Sequence, residues 1–197
     1  TEFDDGLRED RLADGLFVKV EGEYRDGVLH AEEIEPRDGD AELEGVIDSV
    51  NLSENRMQVS GVSVAITVNT LIEDDDDDDS RNRTQDLESL VPGQYVEVEG
   101  RQRSDGTDSY LEAFKLERED DDDDDFEVEG RVDAITSDTL TIMGVTLNRG
   151  SVSFSGIDED TLVEIEFGGS VGNFVITGIE IEEDDDDGGD DNSDDDS

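Results

Sequence analysis

Runs of consecutive aspartates are the residues in this sequence best suited to chemistry. They lie at Asp74 to Asp79, Asp120 to Asp125 and Asp184 to Asp187. Carboxylate oxygens are the ligands of Ca²⁺, which takes about six to eight of them in flexible geometry, whereas Mg²⁺ demands a stricter octahedron. The chain has one His and no Cys, which excludes a site built from several His or Cys ligands and a thiol nucleophile.

The acidic segments recur at the ends of repeated units. Two runs follow such units, and Arg37 to Asp40 is a shorter acidic segment in the matching place after the first unit. Stacked units would bring like charges together unless cations neutralise them. We therefore predict Ca²⁺ at these junctions, within the chain and between chains. The predicted metal ligands are Asp38, Asp40, Asp74, Asp75, Asp76, Asp77, Asp78, Asp79, Glu119, Asp120, Asp121, Asp122, Asp123, Asp124, Asp125, Asp184, Asp185, Asp186 and Asp187.

Simpler interpretations of the acidity remain open. A block of like charges is usually a solvated, disordered linker or tail, which is the alternative for the run inside 73–80 and for the residues after Gly188. No segment has the ligand spacing of an EF-hand loop. Adaptation to high salt also enriches acidic residues, but it disperses them over the surface.

The net charge limits the classes of molecule that are expected to bind this protein. Among 197 residues, 61 are acidic and 14 basic, which gives a formal net charge of −47. Such a chain repels nucleic acid and anionic lipid and attracts cations or basic partners. No window approaches the roughly 18 apolar residues of a membrane span. We therefore predict divalent cations as partners, and neither a nucleic-acid partner nor a membrane span.

No arrangement of residues indicates an enzyme. A pair of carboxylates can hydrolyse a glycosidic bond, but a chain with 61 acidic residues supplies such pairs by chance. Ser-His-Asp sets, phosphate loops and dinucleotide fingerprints are missing from the sequence. We therefore predict a protein without catalytic activity.

An internal repeat organises the chain. The segment 15–22 matches 93–100, and 160–167 is a weaker third copy of this back half. A front half, 44–50, matches 129–135. By this alignment His30, Glu112 and Thr177 share one position, and we expect His30 to be a surface strand residue.

The local pattern is that of β-strands. Hydrophobic and charged residues alternate with a period of two, as in Val18-Lys19-Val20. Asp26-Gly27 and Asp105-Gly106 separate alternating segments, as tight hairpin turns do. Gly61 and Gly144 interrupt strands, which indicates a bulge or a sharp bend.

The repeated pattern resembles an uncharacterised bacterial family of tandem small β modules in exported proteins. The residues that carry the resemblance are Gly45, Asp48, Gly61, Leu90, Gly93, Val96, Val98, Gly100, Asp105, Gly106 and Ala113. It implies compact OB-like or barrel-like modules and an exported location, and it implies no activity. The third copy has Asp160 and Phe167 where the others have glycine, so its hairpin is expected to differ.

The predicted fold is all-β, with tandem small β-barrel or OB-like modules: one half module and two complete ones. The boundaries are 1–40 for the half module, 41–119 for a complete module with an acidic loop at 73–80, 120–125 for an acidic junction, 126–183 for the second complete module and 184–197 for an acidic tail. The half module is predicted to be a hairpin with strands at about 16–24 and 27–35. An isolated hairpin is only marginally stable in water. The half module is a remnant of a complete module, or it packs on its neighbour, or another subunit completes it by strand addition.

We therefore expect an exported structural protein, stabilised by Ca²⁺ and assembling head to tail with itself into an extracellular fibre or surface layer, because an open head-to-tail contact produces a filament. The alternative is a monomeric periplasmic or surface binding module that recruits a basic protein or buffers metal ions. An acidic mimic of nucleic acid ranks below both. A chain that starts at Thr1, without an initiator Met, is expected to be a processed exported product.

Overall fold

The structure, a computed structural model, describes residues 1–3, 7, 9, 12, 16, 18–36, 39–67, 70–72, 89–106, 108–119 and 126–182. The strands are β1 (Glu2–Phe3), β2 (Val18–Arg25), β3 (Val28–Pro36), β4 (Ala41–Asn51), β5 (Arg56–Val59), β6 (Val62–Ala65), β7 (Leu71–Ile72), β8 (Tyr95–Ser104), β9 (Ser109–Glu119), β10 (Phe126–Ile135), β11 (Thr139–Ile142), β12 (Val145–Asn148), β13 (Leu162–Gly168) and β14 (Val175–Ile181). The all-β prediction is confirmed. In the described ranges no helix is long and apolar enough to cross a membrane.

Strand pairing forms two closed circuits. In the first circuit β4 pairs with β5, β5 with β6, β6 with β9, β9 with β8, and β8 again with β4. The second circuit runs in the same way through β10, β11, β12, β14 and β13. All of these pairs are antiparallel except β6–β9 and β12–β14. A closed circuit leaves few unpaired backbone groups at its edges. The module boundaries at 41–119 and 126–183 stay a prediction.

The two circuits are joined through one antiparallel contact. Residues 42–44 of β4 pair with 127–129 of β10, and Leu43 lies opposite Val128 at the centre. Since 42–44 and 127–129 are also equivalent in the sequence repeat, the contact is self-complementary, like that of a twofold dimer. We call this contact the seam. Leu43 and Val128 are fully buried, and one hydrophobic cluster extends through both circuits.

The aspartate of the front-half motif has a structural role. Asp48 and Asp133 are the extra residues of two β-bulges, where the pairing of β4 with β5 and of β10 with β11 shifts. Each Oδ2 accepts a hydrogen bond from a turn amide, Gly61 N at 2.8 Å and Gly144 N at 2.9 Å. Gly61 has φ 82° in the two-residue turn between β5 and β6, a geometry that favours glycine. The bulges therefore lie at the aspartates and not at the glycines.

The predicted N-terminal hairpin is confirmed as β2 and β3, joined at Asp26-Gly27, where both residues have positive φ. With β1 it forms a separate three-stranded sheet in the order β1-β3-β2, which we call the N-terminal sheet. His30 is exposed on β3, as expected.

In the third back half, the strand pairing does not agree with the alignment made from the sequence. Pairing places Ile176 opposite Phe167, as Ala113 lies opposite Gly100, so the position of Glu112 is taken by Val175 and not by Thr177. The alignment was two residues out in β14 because the turns before β9 and β14 differ in length. The hairpin nevertheless keeps the bulge of its counterpart, after Glu166 as after Glu99.

Candidate functional site

One face of six neighbouring strands carries glutamates. The strands lie in the order β9-β8-β4-β10-β13-β14, so this surface crosses the seam. Alternation creates it: Val96 and Val98 are buried in the core, and Glu97 and Glu99 point to the other side of β8. We call this surface the glutamate face.

Cross-strand register aligns the carboxylates in two rows. The first row contains Glu117, Glu97, Glu44, Glu127 and Glu166, and the second contains Lys115, Glu99, Glu42, Glu129, Glu164 and Glu180. Because the seam relates the two circuits by a pseudo-twofold axis, each row is the counterpart of the other. Like charges directly opposite each other destabilise a sheet, so electrostatic repulsion within the rows lowers the stability of this sheet.

The environment makes five of the carboxyl groups in the rows hold protons more tightly than usual. Burial, and then the charges of Glu97 and other neighbours, raises the pKa of Glu42 from 4.5 to about 7. Burial, and then Glu164 and other neighbours, raises the pKa of Glu127 to about 7. The two most strongly shifted groups thus lie in the two strands of the seam.

Three further glutamates of the rows have pKa values raised in the same direction. Burial raises the pKa of Glu97, and Glu99 adds to the increase while Lys115 opposes it. Burial followed by the charge of Glu182 raises the pKa of Glu129 and of Glu164. The shifted groups therefore lie on β4, β8, β10 and β13 and are not confined to one pair.

Lys115 supplies a positive charge near one end of the rows. Its Nζ lies 3.5 Å from Glu99 Oε1 and 3.1 Å from Glu117 Oε2. The equivalent position on β14 is Gly178, which lies opposite Glu166. At the other end of the face, the equivalent position therefore supplies no positive charge.

Two groups of carboxylates are close enough to share a cation. One oxygen from each of Glu42, Glu44 and Glu97 lies within 4.8 Å of the other two. A second group contains Glu97, Glu117 and Glu119 with the same spacing. Partly buried oxygens at this distance are suitable ligands for Ca²⁺.

Two of the ligands predicted from the sequence lie in the described part of the chain. Glu119 belongs to the glutamate face, in the second carboxylate group. Asp40 is exposed, and its Oδ2 lies 3.7 Å from Arg101 Nε. The other predicted ligands, Asp38 and the three aspartate runs, lie outside the described residues.

Two of the aspartate runs are close in the sequence to strands of the glutamate face. Asp120 to Asp125 joins Glu119, the last residue of β9, to Phe126, the first of β10. Asp184 to Asp187 follows β14, the strand at the opposite border of the face. Both junction runs are therefore attached to strands that carry the glutamate rows.

The glutamate rows were missed in the sequence. The alternation of valine with glutamate was visible, as in Val96-Glu97-Val98-Glu99, and it correctly predicted strands with one solvated side. It did not reveal that β4 and β10 are neighbours, and this pairing is what unites the two sets of carboxylates.

A cleft of about 790 Å³ lies elsewhere, between the turns at Gly61 and Gly144 and the loop after β8. Two of its charged groups, Arg56 and Asp133, are engaged with their neighbours. The Arg56 guanidinium carbon lies 4.3 Å from the centre of the Tyr110 ring, and Asp133 accepts the bulge hydrogen bond and one from Gln102 Nε2 at 2.9 Å. We therefore place the candidate site on the glutamate face.

Comparison with known proteins gives a family. A family model described as "Domain of unknown function (DUF5666)" matches residues 1–35 and 44–108. No curated protein and no solved structure matches the chain.

Proposed function

The chain belongs to the DUF5666 family, and we propose that it is a non-enzymatic structural protein. We propose further that divalent cations neutralise its glutamate face, with Ca²⁺ as the preferred ion. The observation that carries the proposal is the alignment of glutamates across the seam, where Glu44 lies opposite Glu127 and Glu42 opposite Glu129.

The energetics of the seam favour a bound cation. At a pH above the raised pKa values of Glu42 and Glu127, both groups ionise among other carboxylates. A divalent cation that accepts oxygens from several strands removes this repulsion and crosslinks the strands. Ca²⁺ suits the site because it tolerates irregular geometry and many carboxylate ligands.

The binding of Ca²⁺ by carboxylates also supports a proposal for where the protein is located and how it assembles. Extracellular Ca²⁺ sites commonly bind at about 10⁻⁴–10⁻³ M, so weak carboxylate sites are useful outside the cell, and we propose an extracellular or cell-surface location. The partner in assembly is a second copy of the chain, which forms head-to-tail contacts, and the acidic runs that follow β9 and β14 in the sequence bind further cations.

Thermal melting tests the cation part of the proposal. We compare the wild type with Glu42→Gln/Glu127→Gln and with the control Glu54→Gln/Glu159→Gln, which removes two exposed glutamates in turns away from the face. Low-millimolar Ca²⁺ is expected to raise the Tm of the wild type and of the control. The Glu42/Glu127 variant is expected to melt higher than the wild type in chelator and to gain less from Ca²⁺.

Two results would count against the proposal. One is an unchanged wild-type Tm when Ca²⁺ replaces the chelator. The other is an equal gain in all three proteins, which would place the effect of Ca²⁺ away from the glutamate face.

A further inference from the structure

The N-terminal sheet reproduces half of the first circuit. β2 and β3 correspond to β8 and β9, with the same bulge, after Glu21 as after Glu99. β1 corresponds to β7: Phe3 pairs in parallel with Ile34, as Ile72 does with Leu116 at the equivalent place. Within the described residues, the N-terminal sheet contains no strands equivalent to β4, β5 and β6.

The apolar side of the N-terminal sheet is correspondingly open. In the first circuit Val98 and Leu111 are fully buried. Their equivalents Val20 and Leu29 are 36% and 38% exposed, and Tyr24 on the same side is 76% exposed. The same strand positions therefore change from core to surface where the three front strands are lacking.

The outer edge of β2 is open as well. The equivalent edge of β8 is covered by β4, whose residues Ala41–Val46 pair with it. Throughout the part of the chain that the structure describes, β2 pairs with β3 and with no other strand. An exposed strand edge next to an apolar face is suited to strand addition.

Charge indicates which strand fits this edge. In the first circuit Glu44 of β4 lies opposite Glu97 of β8, an unfavourable pair of like charges. Lys19 takes the place of Glu97 on β2, where it contacts Glu35 Oε1 at 2.7 Å. A strand with the sequence of β4 would therefore place its second glutamate opposite a lysine, which stabilises a cross-strand pair.

We infer that the N-terminal sheet is an acceptor for a front-half segment, three antiparallel strands with the pattern of β4, β5 and β6. The incoming strand lies antiparallel to β2, with the equivalent of Leu43 opposite Val20 and the equivalent of Glu44 opposite Lys19. The inference goes beyond the proposed function and is independent of its cation part.

Binding of a synthetic peptide with the sequence of residues 39–67 to the chain of residues 1–197 tests the inference. The titration is done in chelator, so that its outcome does not depend on the cation proposal. Saturable one-to-one binding is expected. Val20→Asp is expected to weaken it at least about tenfold because a charge would be buried in the interface. The matched control Val28→Asp, on the opposite side of the same hairpin and 59% exposed, should leave it unchanged.

A charge exchange tests the register. Lys19→Glu is expected to weaken binding about twofold to fivefold, and a peptide carrying Glu44→Lys should restore it. Absence of saturable binding, equal losses for the Val20 and Val28 variants, or no restoration by the exchanged peptide would each overturn the inference. Self-association that Val20→Asp abolishes but the peptide does not displace would also overturn it, because a different surface of the second copy would then cover the sheet.

Discussion

Glu42 and Glu127 show how one residue type takes two roles in this protein. Glutamates on loops, such as Glu159, are exposed and contribute to the acidic surface. On the strands of the seam, burial and neighbouring carboxylates raise the pKa of Glu42 and of Glu127 to about 7. These two side chains are therefore neutral below neutral pH and charged above it, and they couple the stability of the seam to pH.

The direction of the pH effect follows from proton binding. Between pH 4.5 and about 7 the folded chain holds protons on Glu42 and Glu127 that the unfolded chain has released. The free energy of unfolding therefore falls as pH rises through this window. In chelator we expect the Tm to decrease from pH 5 to pH 8, and to decrease less in Glu42→Gln/Glu127→Gln. Differential scanning calorimetry measures both, and parallel curves for the two proteins would contradict the pKa assignment.

At the scale of elements, the sequence predicts what is local. Period-two alternation identified the strands, and the Asp-Gly pair correctly located the turn at Asp26-Gly27. The repeated Asp48 and Asp133 were recognised as a motif, but their part in a bulge was missed, because the hydrogen bond to a turn 11 or 13 residues away depends on strand pairing.

The candidate site depends on contacts that periodicity does not encode. The predicted ligands were sought in runs of aspartate, where charge density is highest in the sequence. Of these ligands, Glu119 lies in the glutamate face. The rest of the face arises because β4 and β10 meet at Leu43 and Val128, a pairing between residues 85 positions apart that no local pattern indicates.

At the scale of the whole molecule, the two circuits share a seam and a core. The hydrophobic cluster includes Val96 in the first circuit and Leu147 in the second. The turn at Gly61 approaches Phe174 of the second circuit, so that a Cβ there would lie 3.0 Å from the ring. A sequence of repeats would suggest separate domains, whereas these contacts indicate cooperative unfolding.

A substitution in the second circuit tests this cooperativity. Leu147→Ala should destabilise the protein by about 2–5 kcal/mol, because it leaves a cavity in the core. The three tyrosines all lie before residue 111, so their fluorescence reports on the first circuit and the N-terminal sheet. We expect the urea midpoint of this signal to fall together with that of circular dichroism. Leu52→Ala, at a half-exposed turn residue, is the control, and an unchanged tyrosine midpoint in Leu147→Ala would show that the circuits unfold separately.

The central claim is that divalent cations bind the glutamate face, and proton release on addition of Ca²⁺ tests it most directly. An aspartate with an ordinary pKa of about 4 is ionised at pH 7 and has no proton to release, whereas Glu42 and Glu127, with pKa values of about 7, are each protonated in about half of the molecules at that pH. We predict that Ca²⁺ added at pH 7 in weak buffer releases protons from the wild type, and that Glu42→Gln/Glu127→Gln releases markedly fewer. Calcium binding with no proton release, or with equal release from both proteins, would contradict the account.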